Sequence, residues 1–283
     1  MKHLKEDTYD LYGTRHWAVR FICYLMFFLL LAPIVVVIVA SFNPQPYLSF
    51  SLKEFSVTWY LQFFEDFRWR HSLWLSLYVA LLTVCVTIPL GTMAAVAIVR
   101  IPFRGKGIFH FLVLAPFLIP GLVLGIGLLI FMNMIQIRGS IGSLVAGHSI
   151  LTLPLAFLTI RSVLVGLSPA VEEAAVGLGA SRIRTFFEIT LPLIKPGVLA
   201  ASFFVFILSF NEFIVSLFLT THRTMTLPIR VWTSLKYEIS PVVAATSTIL
   251  ILISVVSLAA ASRLLSIERL SRREQIQEKK SER

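Results

Sequence analysis

The chain has 283 residues, 57% of them hydrophobic and 14% charged, with a formal net charge of +10 and a mean hydropathy of +0.84. These values fall outside the range of soluble globular domains and leave room for several membrane spans of roughly 20 residues each and little else. The positive charge does not point to nucleic acid, because the basic residues occupy the gaps between apolar runs and do not form one face.

The first twenty residues are polar and charged, without a short apolar core followed by a small-residue cleavage site, so the first span is expected to be retained. Six apolar stretches are long enough to cross a bilayer: 21–42, 72–99, 108–136, 139–160, 198–220 and 239–262. The fold class expected is therefore all-α and polytopic, with a membrane domain over 21–265 between terminal segments 1–20 and 266–283. Of the lysines and arginines, 18 fall in the gaps on the N-terminal side of the membrane and 7 on the other. This bias predicts cytoplasmic termini and a cytoplasmic loop at about 163–197.

Between the first two spans, Trp59, Tyr60, Phe63, Phe64, Phe67 and Trp69 read as an aromatic belt at the membrane boundary or as a ligand contact. Cys23 and Cys85 lie within apolar runs and read as packing residues. Pro89 and Gly91 kink the second span, and Pro116, Pro120, Gly121, Gly125 and Gly127 interrupt the third. Such breaks are tolerated where backbone packs on a neighbouring helix or lines a cavity. His148, early in the fourth span, either makes an interhelical hydrogen bond or contacts a ligand.

The loop after the fourth span mixes acids, bases and small residues. Ser168 can cap a helix with Pro169 at its first position, and Val171, Ala174, Ala175 and Leu178 then share one face opposite Glu172 and Glu173. Gly179 supplies the left-handed residue that ends this helix, and Ser181 caps a second one running toward Ile189. Pro192 and the Lys195-Pro196-Gly197 run are expected to break that second helix before the next span. Read from the residues alone, the segment is an interfacial connector.

Asn211-Glu212 lies in the middle of the fifth span, where a carboxylate must be paired or wet. It is either a structural partner to another span or a counter-charge in a pathway for a cationic solute. The loop before the last span carries Arg223, Arg230 and Lys236 and fits the orientation rule least well, so it is a candidate for contact with a partner. The tail from Glu268 alternates acids and bases and reads as a solvated or frayed helix. Gly105-Lys106-Gly107 lacks the spacing and hydroxyl of a phosphate-binding loop, the six histidines and two cysteines are scattered, and no nucleophile stands with a base. No catalytic residue, metal ligand or resident cofactor is expected.

The order Glu173-Ala174-Ala175, three residues, Gly179, nine residues, Ile189, one residue, Leu191-Pro192 resembles the EAA loop of type I ATP-binding-cassette (ABC) importer permeases. The resemblance implies that Glu172, Glu173, Ala174, Ala175, Gly179, Ile189, Leu191 and Pro192 couple the membrane bundle to a separate ATPase. Alanine and glycine would permit close backbone approach, and the carboxylates would meet basic groups on that partner. Ser41-Phe42-Asn43, Phe55-Ser56, Trp59-Tyr60, Arg104-Gly105-Lys106, His148 and Ser240-Pro241 before Ala244-Ala245-Thr246 are similar to the spermidine/putrescine-type permeases, whose wider group also handles 4-aminobutyrate, opines, aminoethylphosphonate and iron. Polyamine members carry two adjacent acids where this chain has Asn211 and Glu212. The implied partners are two ATPase subunits holding ATP and magnesium, a second homologous permease in a heterodimer, an extracytoplasmic solute-binding protein and membrane lipid. The implied location is the bacterial inner membrane, and His148, Asn211 and Glu212 become candidates for the solute pathway.

Overall fold

The computed structural model describes residues 15–45, 55–237, 240 and 242–281, and among these the regular structure is helical, with no strand. The chain forms two compact units, one from the N-terminal part through Glu65 together with Ser234–Ile249, the other from Asp66–Thr233 and the chain beyond Leu250.

In the first unit, α1 (Arg15–Ala40) is apolar around its whole circumference, and none of its described side chains is buried within the chain. A helix of that kind is stable only against lipid or another protein. Its C-terminal end is tied to α2 (Thr58–Glu65) by a knot of hydrogen bonds. The Ser41 hydroxyl donates to Ile38 O at 2.6 Å and lies 2.6 Å from the Tyr60 hydroxyl. Trp59 Nε1 donates to Asn43 O at 2.6 Å, and the Phe42 ring packs against Phe55 and Tyr60. Phe63 is fully buried, so part of the supposed aromatic belt is core.

The second unit starts at Asp66, whose carboxylate caps α3 (Phe67–Arg100) by accepting the Arg68 N–H at 2.7 Å and also pairs with the Arg68 side chain. The side-chain hydrogen bond from Arg68 holds the Asp66 carboxyl below its ordinary range. The third apolar stretch is two helices, α4 (Lys106–Leu118) and α5 (Gly121–Met134), bent by 105° at Ile119-Pro120. The interruption expected at Pro120 and Gly121 is thus present, as a sharp bend between two helices. Pro120 has no N–H to continue the ladder and pushes Ile119 into extended backbone, so a new helix must begin. A tight turn with Gly139 at φ 78° leads to α6 (Ile141–Val165), which Ser140 caps through the Ser143 N–H.

α6 is the centre of this unit. Its C-terminal half contributes Ala156, Phe157, Ile160 and Leu164 to a core shared with Ala94, Ala95 and Ile98 of α3, Val113 of α4, and Ile194, Ala201 and Val205. Its N-terminal half contributes Leu144 and Val145 to a second core with Leu75 and Val79 of α3, Leu128 and Met132 of α5, and Val215 and Leu219. Between these cores lie the buried polar side chains Thr83, Thr87, His148, Thr152, Ser209 and Ser216.

After α6 come α7 (Pro169–Gly177), α8 (Arg182–Thr185), a π-helical turn at Phe186–Thr190, and α9 (Leu191–Phe210). The expected break at Pro192 and Pro196 does not occur: the helix runs through both. At Pro192 the wide turn supplies the reason, because Leu191 N–H bonds back to Phe186 O and the ladder opens where the proline ring would otherwise meet a carbonyl, whereas Pro196 is accommodated within the helix itself. The chain breaks instead at Asn211–Phe213, before the short α10 (Ile214–Leu219), so the fifth span ends at Phe210 and not near residue 220. α11 (Leu227–Tyr237) follows, its Leu227 N–H donating to Ser76 Oγ at 2.8 Å and its Arg230 Nε to Ser72 Oγ at 3.2 Å. The last helix, α12 (Val242–Ser281), carries helical backbone through the charged tail. Among the described residues, five helices are long and apolar enough to span a bilayer, six with the bent pair α4–α5. Cys23 and Cys85 are exposed on their helices, which corrects their reading as packing residues.

Small residues let these helices close. A β-carbon on Gly147 of α6 would meet Leu219 Cδ1 and Val215 Cγ1 at 2.8 Å, whereas one on Gly127 of α5 would meet nothing within 4 Å. Gly147→Val is therefore expected to lower the thermal-unfolding midpoint of the purified chain by overpacking worth about 1–3 kcal/mol. Gly127→Val, measured alongside, should shift it by no more than its helix propensity requires.

Candidate functional site

Two regions gather the residues singled out in the sequence. The first lies at the end of the bundle that carries α7. Ser168 stands at the N-cap of α7 with Pro169 inside the first turn, but its hydroxyl makes no capping bond. The other end closes more tightly. Gly179 has φ 91°, its N–H bonds Val176 O at 3.0 Å, and the Ala180 N–H bonds Ala175 O at 3.1 Å. Those two bonds make a Schellman turn, which demands a left-handed residue at this position. A β-carbon on Gly179 would have open space around it, so the requirement is purely conformational. Ser181 then caps α8 through the Arg184 N–H.

α7 has no buried residue. Glu173 and Ala174 are exposed, as are Val171, Val176 and Leu178, the last with 91% of its surface free. Glu172 behaves differently. Its Oε2 lies 2.9 Å from Arg100 Nε at the end of α3, and its Oε1 accepts from Thr190 Oγ1 at 3.0 Å. Arg100 also donates to Leu167 O at 2.9 Å. A cavity of about 610 Å³ opens beside this contact, lined by Arg100, Glu172, Glu173, Val176, Arg182 and Thr190 among others. Leu191 packs on the first core, while Ile189 is half-buried and Pro192 exposed. The loop pattern thus divides into an exposed stretch, Glu173–Gly179, and an anchored one around Thr190-Leu191. Arg100 and Thr190 had no part in the sequence argument beyond the charge of Arg100 in the orientation count.

The second region is the break between α9 and α10. Both Glu212 oxygens turn back onto the following backbone, accepting the Val215 N–H at 3.0 Å and the Ser216 N–H at 2.9 Å. His148 bridges the break: Nδ1 is hydrogen-bonded to Ser209 Oγ at 2.8 Å and Nε2 to Ser216 Oγ at 2.9 Å, with Glu212 Oε2 3.7 Å away. The Thr152 hydroxyl donates to His148 O at 2.8 Å and lies 3.4 Å from Thr87 Oγ1. His148 and Glu212 are buried and satisfied within the chain, whereas Asn211 is exposed and donates to Ile207 O and to Ser254 Oγ. Serines on a helix carry no sequence signal for such a role, so Ser209 and Ser216 were not foreseen.

Residues 87–266 match the family model described as the inner membrane component of binding-protein-dependent transport systems. The chain belongs to this family. The putrescine transport system permease protein PotI of Escherichia coli K12 is 31% identical over 237 residues, covering 80% of this chain and 83% of that one. The spermidine/putrescine permease protein PotC of the same organism is 31% identical over 234 residues, covering 83% and 88%. The trehalose/maltose permease protein MalG of Thermococcus litoralis is 32% identical over 211 residues, covering 72% and 76%. In fold, the chain is similar to a bacterial ABC transporter that imports alginate, with a TM-score of 0.70 at 15% identity over 89% of this chain and 96% of that one. It is also similar to the methionine ABC transporter MetNI, with a TM-score of 0.57 at 14% identity over 70% and 93%. It is a multi-pass inner-membrane permease subunit of an ABC importer, with the type I permease fold.

Glu212→Gln tests the geometry at the break. It sets an amide nitrogen against one of the two backbone N–H groups, which should cost about 1–3 kcal/mol. The measurement is the thermal-unfolding midpoint of the purified permease; an unchanged midpoint would contradict a capping role.

Proposed function

We propose that this permease imports small amine-bearing solutes and is driven through the loop at α7 by ATPase subunits that it does not itself contain. The observation that carries this reading is α7 itself: a short, small-residue helix with no buried side chain, held out by a left-handed turn at Gly179. A helix so exposed, with Val171, Val176 and Leu178 uncovered, is suited to a groove on another protein. In this reading Glu173, Ala174 and Ala175 enter the groove, Glu172 and Leu191 secure the loop to the bundle, and Ile189 and Pro192 belong to the same coupling segment. ATP and magnesium stay on two ATPase subunits, and a second permease chain completes the pathway. A solute-binding protein delivers the cargo, and both termini lie in the cytoplasm, as the charge bias favours.

Amine-bearing solutes are the class carried in the names of PotI and PotC, which align over more of the chain than MalG does. Near the middle of the membrane, Asn211 is the candidate for solute contact because it is exposed, and His148 and Glu212 shape the break behind it. Alternating access is then conformational work, with binding energy divided between inward- and outward-facing states and no covalent chemistry in this chain.

In proteoliposomes holding the complete importer, Gly179→Val should insert normally yet lower solute uptake per ATP hydrolysed by about ten-fold, within the usual range of coupling energies. Wild-type uptake in that variant would remove the coupling role. The solute class is tested separately, by thermal shift of the cognate binding protein with putrescine, spermidine, 4-aminobutyrate, aminoethylphosphonate, trehalose and maltose. A shift with the sugars alone would replace the amine assignment.

A further inference from the structure

The exposed α7 raises a mechanical question, since a helix with no buried side chain has little packing through which to move anything. The cavity beside it deepens the problem, because a hollow of about 610 Å³ cannot transmit a push. The contact beside that hollow is made by Glu172. One of its oxygens meets Arg100, the last residue of α3, and the other accepts the hydroxyl of Thr190, the residue immediately before α9. Arg100 extends the contact to Leu167 O, in the turn between α6 and α7.

We propose that Glu172, Arg100 and Thr190 form a strut that carries displacement of α7 into α3 and α9. The proposal rests on the coupling reading of α7 and adds the route by which its motion enters the bundle. Three features suit the contact to that task. The side chains of Arg100 and Glu172 are only 15% and 17% exposed, so water screens the pair far less than it would a surface ion pair. The guanidinium is rigid and planar: one nitrogen donates to a carbonyl and another lies 2.9 Å from the carboxylate as an ion pair, although that Nε is without an aligned hydrogen bond. Both receiving points are helix ends, where an axial displacement is passed along the hydrogen-bonded ladder. Arg182 and Glu173 also line the cavity, and the Arg184–Glu188 pair stands on the exposed side. Glu172, Arg100 and Thr190 are thus positioning residues, acting through the helices and not on the solute.

The test uses the complete importer in proteoliposomes, with Arg100→Gln, Glu172→Gln, Thr190→Val and the charge-reversed pair Arg100→Glu with Glu172→Arg. The readouts are solute uptake per ATP hydrolysed, the amount of ATPase subunit that co-purifies, and cross-linking of the ATPase to a cysteine placed at Ala175. Each single variant should keep its ATPase and the cross-link while the uptake-to-hydrolysis ratio falls about five- to ten-fold. The charge-reversed pair should recover most of that ratio, a rescue that a merely destabilised loop would not show. Single variants with an unchanged ratio, variants that lose the ATPase, or a reversed pair no better than either single change would each overturn the strut. If the cysteine at Ala175 captures no ATPase in the otherwise unaltered chain, the coupling reading falls and the strut with it. Capture with an unchanged ratio removes the strut alone.

Discussion

Inside a bilayer a helix cannot stop without leaving backbone groups that only the protein can satisfy. At the break after Phe210, Glu212 accepts two N–H groups at the start of α10 and the Asn211 side chain donates to Ile207 O at the end of α9. The carboxylate is in turn surrounded by hydroxyls and imidazole, with His148 tying Ser209 on one side of the break to Ser216 on the other. The rest of the second unit is arranged around this level. One apolar core lies on each side of it along α6, and the bend between α4 and α5 falls beside it, with Gly121 next to Ile214. Two helices are interrupted at neighbouring points, and buried polar groups satisfy the α9–α10 break, whereas the α4–α5 bend has no side-chain cap. Discontinuous helices of this kind are where transporters place the irregular backbone of their pathways.

The two ends of the loop pattern are built differently. Between Glu173 and Gly179 the side chains are small or uncovered, and the turn that shapes them depends on backbone conformation alone. Around Thr190 and Leu191 the same pattern is anchored, one residue bonded to Glu172 and the other packed on the core. Adjacent acids make the division plain, since Glu173 is left in solvent while Glu172 is drawn inward by Arg100.

What could be read without coordinates followed from how local each cause was. The left-handed turn at Gly179, the cap at Ser181 and the apolar spans depend on residues within a few positions of each other, and the sequence displays them directly. Proline acted in two ways. At Pro192 a π turn absorbed it and the helix continued, whereas Pro120 ended one helix and turned the next through 105°. The difference lies in whether the preceding backbone can widen, which no single residue records. Long-range partners were equally hidden: Arg100 and Glu172 are separated by most of three helices, and Arg100 looked like one more charge at a membrane face. The acid at Glu212 was noticed because it stood alone in an apolar run, but its partners proved to be backbone N–H groups, which every sequence contains and none advertises.

The continuity of α9 connects the two regions. Its 20 residues begin beside Thr190 and end at the break held by Glu212, a rod of roughly 30 Å at the rise of an α-helix. Had Pro192 and Pro196 broken this segment as their chemistry alone suggests, the loop and the middle of the membrane would be joined by a flexible link. The π turn preserves the rod, and Gly197 lets it lie close against Val163 of α6, where a β-carbon would stand only 2.7 Å from a methyl group. One unbroken helix thus runs from the residue bonded to Glu172 to the break held by Glu212, which is the continuity that the proposed coupling through the loop requires.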